Sequence, residues 1–398
     1  MRDEEGTVEF SLAWLLHPLP VQTFLDDIWG ARPYHVPRSA PNYFDRLLHG
    51  PSAVDELLEH VRPDPSTVRL VKGGEDLDLA AYRNADGSLD LGRVRTAVAD
   101  GYTIVLNALD GYVRTLGALS HAIEAELNFP TRVNGYVTPP EARGFVPHYD
   151  PHDVVVLQIH GSKLWHVSTG EPVAPHQMLG RDMTPTLESP TELRLEAGDV
   201  LYLPRGLVHG AETQSEQSVH LTVGIHAPTV LTLLTHVLHA LSVRDDRVNA
   251  RLPPRHLDDA DVRASLGDLV RDVAKTVDDP RVIADGLDTM EEILVQRGRC
   301  PPVGQISNAV GIDGDTRVVK YQPLYSRVVS GAGGVALQFA QLSIKLASDQ
   351  KAALLFLSRN TEPFRVRDLP GLGAAQQVEL VRTLITTGFL TRLPDDES

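Results

Sequence analysis

The chain has 398 residues, of which 42% are hydrophobic and 23% are charged, and its formal net charge is −16. These values are typical of a globular protein of about two or three domains, and the acidic excess argues against a protein that holds nucleic acid through a basic face. The single cysteine, Cys300, excludes an internal disulfide and predicts a reducing, cytoplasmic setting. The apolar stretch 14–19 is short and broken by His17 and prolines, so we expect neither a secretory signal nor a membrane span.

The first 130 residues predict a mixture of helices and strands. Helical apolar spacing over residues 21–29 predicts a helix that ends before Pro33. A β-branched run over residues 102–106 predicts a buried strand, and residues 116–127 predict a helix that Pro130 closes.

Residues 131–227 have a different character. Short β-rich runs alternate there with Gly, Pro and Asp, and no long helical pattern interrupts them. Many short strands separated by turn residues predict a β-sandwich or a barrel. The predicted strands are residues 132–138, 153–160, 163–168, 193–195, 200–203 and 219–226.

Helical patterns return after Pro228, over residues 229–241, 262–277 and 281–296. Their apolar stripes predict either self-association or a cover over the barrel. The last hundred residues end in a helix, 374–386, and a strand, which is typical of a winged helix; their charge is nearly balanced, so we expect a protein contact rather than DNA binding. We therefore expect three domains, over residues 1–228, 229–299 and 300–398.

The segment 144–150 carries the first part of a predicted metal site. His148 and Asp150 are two residues apart, which places both side chains on one face of an extended chain. Downstream, a Gly-Asp turn, a short strand and a Pro-x-Gly turn lead to His209. Two histidines and one carboxylate can occupy one face of an octahedron and leave three positions open, as oxygen chemistry at a ferrous ion requires. The alternative is a set of histidines that are hydrogen-bonded inside the barrel.

Lys163 follows a Gly-Ser turn and opens a strand. If Lys163 and Trp165 face inward, a buried ammonium needs an anion, and a dicarboxylate bound to the metal by its other end would supply one. If Leu164 and His166 face inward instead, Lys163 lies in solvent. The pattern alone does not choose between these two registers.

Two further strands place polar groups that could line the same cavity. Asn134, Tyr136 and Thr138 alternate along one strand, and they form either a ligand-binding face or an ordinary amphipathic edge. His220 and Thr222 share a face of another strand, where His220 is either a pocket residue or a core histidine.

Several of these segments resemble the ribosomal oxygenases, which are Jumonji C-type, cupin-barrel protein hydroxylases dependent on Fe(II) and 2-oxoglutarate. The resemblance implies an α+β chain: a double-stranded β-helix (cupin, jelly-roll) barrel, a helical dimerisation region and a C-terminal winged-helix domain. The segments are 134–140 (NGYVTPP), 144–150 (GFVPHYD), 157–167 (LQIHGSKLWHV) and 204–209 (PRGLVH), with 24–33 (FLDDIWGARP) similar to an N-terminal motif of the family.

The resemblance also implies roles for single residues. The iron ligands would be His148, Asp150 and His209, and Lys163 would pair with the far carboxylate of 2-oxoglutarate. Positions that line the cosubstrate and substrate pocket correspond to Asn134 and Tyr136, and we add Thr222 to that lining. Gly224 is a departure, since family members have a serine there near the substrate.

The implied activity is hydroxylation of an Arg or His side chain of a ribosomal protein, a basic partner that suits the acidic chain, by a homodimeric enzyme. One alternative is the same chemistry on another peptide, such as the precursor of a modified-peptide natural product. Two others belong to different classes: a cupin that holds Zn or Mn without oxygen chemistry, and a ligand-sensing regulator whose winged helix binds DNA.

Overall fold

The computed structural model describes residues 10–48, 54–55, 57–58, 67–173, 185–298, 309–321, 324–331 and 333–394. These residues divide into two compact units, residues 1–227 (unit 1) and 228–398 (unit 2). Cys300, on which the redox prediction rests, lies outside the described residues. No helix in the described ranges has both the length and the apolar character that a bilayer crossing requires.

Four helices of unit 1 have both ends within the described residues: α1 (Leu12–Leu16), α2 (Val21–Asp27), α3 (Leu91–Ala99) and α4 (Arg114–Leu127). Local sequence signals set their ends. The carboxylate of Asp90 caps α3 by accepting a hydrogen bond from the Arg93 amide at 3.1 Å. Helix α4 ends where Asn128 adopts a left-handed conformation with φ of 57°, which an asparagine tolerates better than most residues.

The described strands of unit 1 form two antiparallel sheets. The strands are β1 (Tyr34–Val36), β2 (Val68–Lys72), β3 (Glu75–Asp76), β4 (Thr103–Leu106), β5 (Thr131–Thr138), β6 (Asp153–His160), β7 (Ser162–Val167), β8 (Thr191–Glu196), β9 (Val200–Leu203), β10 (His209–Glu212) and β11 (Ser218–Ile225). The larger sheet has the order β1-β9-β6-β11-β5-β4-β2-β3, and the smaller has the order β10-β7-β8. The barrel predicted for residues 131–227 is thereby confirmed, and the first 106 residues add further strands to its large sheet.

Alternation along the strands gives the large sheet two different faces. On the outer face, Val133 and Val223 pack in one apolar cluster with side chains of all four helices. On the inner face, Val156 and Leu201 pack against Trp165 of the small sheet. The polar residues of β5 and β11 lie on this same inner face, so the sheet directs them into the barrel.

The described part of unit 2 has three successive helices, then two three-stranded antiparallel sheets, one formed by residues 317–320, 364–365 and 390–392 and the other by residues 327–331, 334–339 and 342–346, and two later helices. Gly286 allows two of the helices to approach closely, since a Cβ atom there would lie 2.6 Å from Cγ2 of Val237. The division of this unit near residue 299 into a helical region and a winged-helix domain stays a prediction. Its elements are α5 (Val230–Ser242), α6 (Ala260–Val277), α7 (Pro280–Arg297), β12 (Arg317–Lys320), β13 (Arg327–Gly331), β14 (Gly334–Phe339), β15 (Leu342–Leu346), α8 (Lys351–Arg359), β16 (Phe364–Arg365), α9 (Ala374–Thr386) and β17 (Leu390–Arg392).

Candidate active site

The three predicted metal ligands meet in unit 1. His148 and His209 form a two-residue antiparallel bridge, in which the amide of each donates to the carbonyl of the other at 2.9 and 2.8 Å. Asp150 Oδ2 lies 3.6 Å from Nε2 of His209. One nitrogen or oxygen atom from each of the three side chains lies within 4.8 Å of the others. Residues 61 positions apart in the chain therefore offer ligand atoms at one point.

Backbone carbonyls orient both imidazoles. Nδ1 of His148 lies 2.9 Å from the carbonyl oxygen of Val146, and Nδ1 of His209 lies 2.9 Å from that of Leu207. A neutral ring that donates from Nδ1 keeps the lone pair on Nε2, which is the form that binds a metal. Burial, together with the neighbouring His148, lowers the pKa of His209 to about 4 although Asp150 opposes this effect. His209 is therefore neutral at physiological pH.

A turn positions His209 beside the loop of Asp150. Gly206 adopts a positive φ of 82°, which the Pro-x-Gly sequence predicts for a turn. Its amide donates to the carbonyl of Asp150 at 2.9 Å. This hydrogen bond joins the loops that carry Asp150 and His209, so the separation of the two ligands is fixed by the backbone.

Lys163 faces the inside of the barrel, as do Trp165 and Val167 on the same strand, whereas Leu164 and His166 are half-buried. Its side chain is 5% exposed, and its Nζ donates to Thr138 Oγ1 at 2.9 Å. Burial lowers the pKa of Lys163 to about 7. Within the described ranges no carboxylate forms an ion pair with Lys163, so the ammonium lacks the anion that burial calls for.

Asn134, Tyr136 and Thr222 form a hydrogen-bonded group on the same inner face. Asn134 pairs with Thr222 across β5 and β11, and the phenol of Tyr136 is hydrogen-bonded to both of their side chains. The Oδ1 atom of Asn134 also accepts from the amide of Ala108 at 2.9 Å. Strand β5 lies between β11 and β4. The alternative interpretation of β5 as an amphipathic edge strand is therefore wrong.

Six aromatic rings form a closed circuit of neighbours that includes both metal-site histidines. Adjacent ring centroids are between 4.5 and 6.2 Å apart. The circuit runs from His148 to His209, Trp165, His220, Tyr136, Phe145 and back to His148.

Two polar atoms of this circuit are buried without a hydrogen bond to any described residue: Nε1 of Trp165 and Nδ1 of His220. Burial first, and then the charge of Lys163, lowers the pKa of His220 well below its usual range, so this ring is neutral. Buried polar atoms ordinarily have partners, so these two atoms and Lys163 fit a polar ligand. The sequence predicts Trp165 on the same strand face as Lys163 without a role for it, and it does not predict Phe145 as a site residue.

Comparison with known proteins places a family domain over this site. Residues 116–233 match the JmjC domain, and this range contains every candidate site residue. The chain is 29% identical over 228 residues to the bifunctional lysine-specific demethylase and histidyl-hydroxylase NO66 of Aedes aegypti, which covers 54% of this chain and 34% of that protein. NO66 of Drosophila erecta is 31% identical over 229 residues, covering 54% and 33%. The chain thus spans about a third of the length of these relatives.

Solved structures establish the same fold over most of the chain. Escherichia coli YcfD superposes with a TM-score of 0.56 at 18% identity, covering 94% of this chain and 99% of that one. A second structure of YcfD, described as a ribosomal oxygenase in complex with cobalt and 2-oxoglutarate, gives a TM-score of 0.55 at 18% identity and covers 95% and 99%.

Proposed function

We propose that the chain is an Fe(II)- and 2-oxoglutarate-dependent oxygenase, because residues 116–233 match the JmjC domain and the chain has the same fold as the ribosomal oxygenase YcfD. Its substrate in this proposal is an arginine or histidine side chain of a ribosomal protein. The observation that carries the proposal is one interior face that holds both a His-Asp-His cluster and a buried lysine without an anion.

The cluster fits a divalent first-row metal. His148 and His209 would each supply a neutral Nε2 atom, and Asp150 would supply an anionic oxygen. When bound, Fe(II) and 2-oxoglutarate together supply the oxidising chemistry that inserts one atom of dioxygen into a C–H bond, while 2-oxoglutarate becomes succinate and carbon dioxide. Three protein ligands leave room for the cosubstrate and dioxygen.

The cosubstrate would extend from the metal towards Lys163. The ammonium of Lys163 would pair with the far carboxylate, and Thr138 fixes its position. Nε1 of Trp165 and Nδ1 of His220 offer hydrogen bonds to oxygen atoms of the same ligand, since no described residue satisfies them. A dicarboxylate satisfies both ends of this face, whereas a metal ion alone would leave Lys163 unpaired.

The barrel also shields the reacting atoms. The rings of Trp165, Tyr136 and His220 line the pocket on the side of Lys163 and keep water away from it. His148 and Asp150 are half-buried, unlike His209, so a protein side chain can approach the metal from their side.

A basic substrate is proposed on charge and on similarity. The net charge of −16 favours the approach of a basic protein by long-range attraction. The relatives are named as a histidyl-hydroxylase and a ribosomal oxygenase. Ribosomal proteins are basic, and they therefore are the first substrates to test.

The test is succinate formation. Protein prepared without oxygen is given Fe(II), 2-oxoglutarate and air, with and without proteins extracted from bacterial ribosomes, and succinate and +16 mass shifts are measured. We expect succinate in both cases, with more when a substrate is present. Asp150→Ala should remove this activity because it deletes the anionic ligand, whereas Asp100→Ala, at an exposed aspartate outside the site, should retain it.

Other outcomes would separate the alternatives. Succinate that forms without any modified ribosomal protein would point to another peptide, such as a natural-product precursor. Bound Zn or Mn without affinity for 2-oxoglutarate would refute the oxygenase. Salt-dependent binding to DNA would support a regulator instead.

The proposal includes a homodimer that forms through α5. This helix exposes apolar side chains at helical spacing: Leu231 is 73% exposed, and Leu234 and Leu238 are each 43% exposed. Burying such a stripe against a second copy would remove it from water. Light scattering should give twice the chain mass for the wild type and one chain mass for Leu231→Asp/Leu238→Asp; a monomeric wild type would refute the dimer.

A further inference from the structure

Two consecutive amides of the turn that leads to His209 bind to the segment around Asp150. The amide of Gly206 donates to the carbonyl of Asp150 at 2.9 Å. The amide of the preceding residue, Arg205, donates to Oδ1 of Asp153 at 3.3 Å. The second bond differs from the first because its acceptor is a side chain. The position of the turn therefore depends on where the Asp153 carboxylate is held.

The Asp153 carboxylate lies on the outer face of the large sheet. In the pairing of β6 with β9, Val155 is the partner of Tyr202, and both belong to the apolar cluster of the outer face. Asp153 precedes Val155 by two residues, so its side chain shares that face. The pocket lies on the opposite face. Asp153 can therefore act on the metal site only through the backbone of the turn.

The phenol of Tyr202 holds this carboxylate. It donates to Oδ1 of Asp153 at 2.6 Å, and the two residues are 1% and 6% exposed. Burial first, and then the charge of Asp153, raises the pKa of Tyr202 well above its usual range, so the phenol keeps the proton that it donates. Both hydrogen bonds converge on one oxygen atom. Of these two donors, loss of the phenol would leave only the Arg205 amide to a buried carboxylate.

The N-terminal segment holds the ring of Tyr202. The amide of Gly30 donates to the phenol oxygen at 2.8 Å. The ring of Phe24 meets that of Tyr202 edge to face with centroids 5.0 Å apart, and the ring of Trp29 stacks on it with centroids 5.6 Å apart. All three belong to the segment 24–33, to which the proposed function gives no role. The segment is thus joined by hydrogen bonds to the turn that carries the second metal histidine.

We infer that Tyr202 and Asp153 are positioning residues, which hold the turn of His209 at the distance from Asp150 that a bound metal requires. Residues 24–30 hold Tyr202 in turn. Neither side chain of the pair touches the metal or 2-oxoglutarate. This inference rests on the proposed function, because it concerns the metal site which that function uses.

The test compares Tyr202→Phe with Tyr82→Phe. Tyr82 is a matched control, since it is 1% exposed, packs in the same apolar cluster and donates from its phenol to the carbonyl of Val68 at 3.3 Å. Its partner strand, β2, is separated from β6 by three strands. Each substitution removes one buried hydroxyl group and keeps the ring. Both should therefore lower the melting temperature by a few degrees.

Only Tyr202→Phe should change the metal site. Titration with Co(II), followed by visible absorption, gives the affinity and the spectrum of the bound ion without turnover. We expect Tyr202→Phe to weaken Co(II) binding about tenfold and to change the wavelength and intensity of the visible band, because the turn of His209 moves. Tyr82→Phe should keep the wild-type affinity and spectrum.

The outcomes separate this inference from the proposed function. Equal affinities and spectra in the wild type and Tyr202→Phe, or the same change in Tyr202→Phe and Tyr82→Phe, would overturn the inference and leave the proposed function standing. A wild type that does not bind Co(II) would refute the proposed function itself.

A second pair of variants tests the acceptor atom of Asp153. Asparagine keeps an oxygen that can accept from both Tyr202 and the Arg205 amide, whereas alanine keeps none. We expect Asp153→Asn to bind Co(II) within about threefold of the wild type, and Asp153→Ala to bind it at least about tenfold more weakly. Equal losses in the two variants, or no loss in Asp153→Ala, would show that these hydrogen bonds do not position the turn, and the inference would fall.

Discussion

Lys163 of unit 1 and Lys320 of unit 2 are both buried lysines, with 5% and 6% exposure, but their surroundings differ. Lys320 Nζ donates to Ser326 Oγ at 3.0 Å and to the Ser358 carbonyl at 2.8 Å, and it lies 5.5 Å from the centroid of the Phe389 ring. Among the described residues, Lys163 has one hydrogen bond, which it donates to Thr138. Burial lowers the pKa of Lys320 to about 8 and that of Lys163 to about 7.

The difference favours a structural role for Lys320 and supports the proposed binding role of Lys163. The protein itself supplies the partners of Lys320, so this residue joins β12 to its neighbours. Lys163 shares its pocket with Nε1 of Trp165 and Nδ1 of His220, two buried atoms that have no hydrogen-bond partner among the described residues, and in the proposed function a ligand supplies these partners. Burial alone does not show whether a lysine has a structural or a binding role. Buried donor atoms without partners favour a binding role.

The largest expected difference between the two lysines is in the affinity of the protein for 2-oxoglutarate. Lys163→Met should weaken binding to the Co(II) protein about 100-fold, since the far carboxylate loses its buried partner. Lys320→Met should leave the affinity unchanged. Calorimetric titration measures both, and equal affinities in the two variants would contradict the role of Lys163.

The pH dependence of the affinity for 2-oxoglutarate also tests the pairing of Lys163 with the far carboxylate. The pKa of free Lys163 is about 7, and pairing with a carboxylate raises it, so binding above pH 7 takes up a proton. The dissociation constant should therefore rise between pH 7 and 8.5, by up to about tenfold per unit. Lys163→Arg, which stays protonated, should show a flat profile; a flat wild-type profile would refute the assignment.

The smallest expected effect is on the melting temperature of the protein without ligand. Lys163→Met should raise the melting temperature by about 2–4 °C, because it replaces a poorly partnered buried ammonium, whereas Lys320→Met should lower it by leaving its partners unpaired. The pKa of Lys163 is below its unfolded value of 10.5, so the unfolded chain binds more protons between about pH 7 and 10.5. The free energy of unfolding of the wild type should therefore rise with pH across this window relative to that of Lys163→Met. Calorimetry at several pH values measures this difference, and a fall with pH would contradict the prediction.

Much of the barrel follows from local pattern. Strands β6 and β9 have the predicted bounds, β5 begins one residue earlier than predicted, and β11 is shifted by one residue at both ends. Strand β1 was not predicted, because its three residues follow Pro33 and it is defined by pairing with β9, far along the chain. Short strands of this kind have too little sequence to show a period.

The metal site could also be predicted from the sequence, because the two-residue spacing of His148 and Asp150 places both side chains on one face of an extended chain. The orientation of Lys163 was not, because both faces of β7 carry apolar or aromatic residues and tertiary packing chooses between them. The hydrogen bond between Tyr202 and Asp153 joins residues 49 positions apart through the pairing of β6 with β9, which no local pattern reveals.

A crystal structure of the protein with Co(II) and 2-oxoglutarate would show which residues bind the metal and the cosubstrate. We expect one Co(II) ion bound by Nε2 of His148, Nε2 of His209 and the Asp150 carboxylate, with the far carboxylate of 2-oxoglutarate paired to Lys163 Nζ. A metal bound elsewhere, or a 2-oxoglutarate molecule that does not reach Lys163, would contradict it.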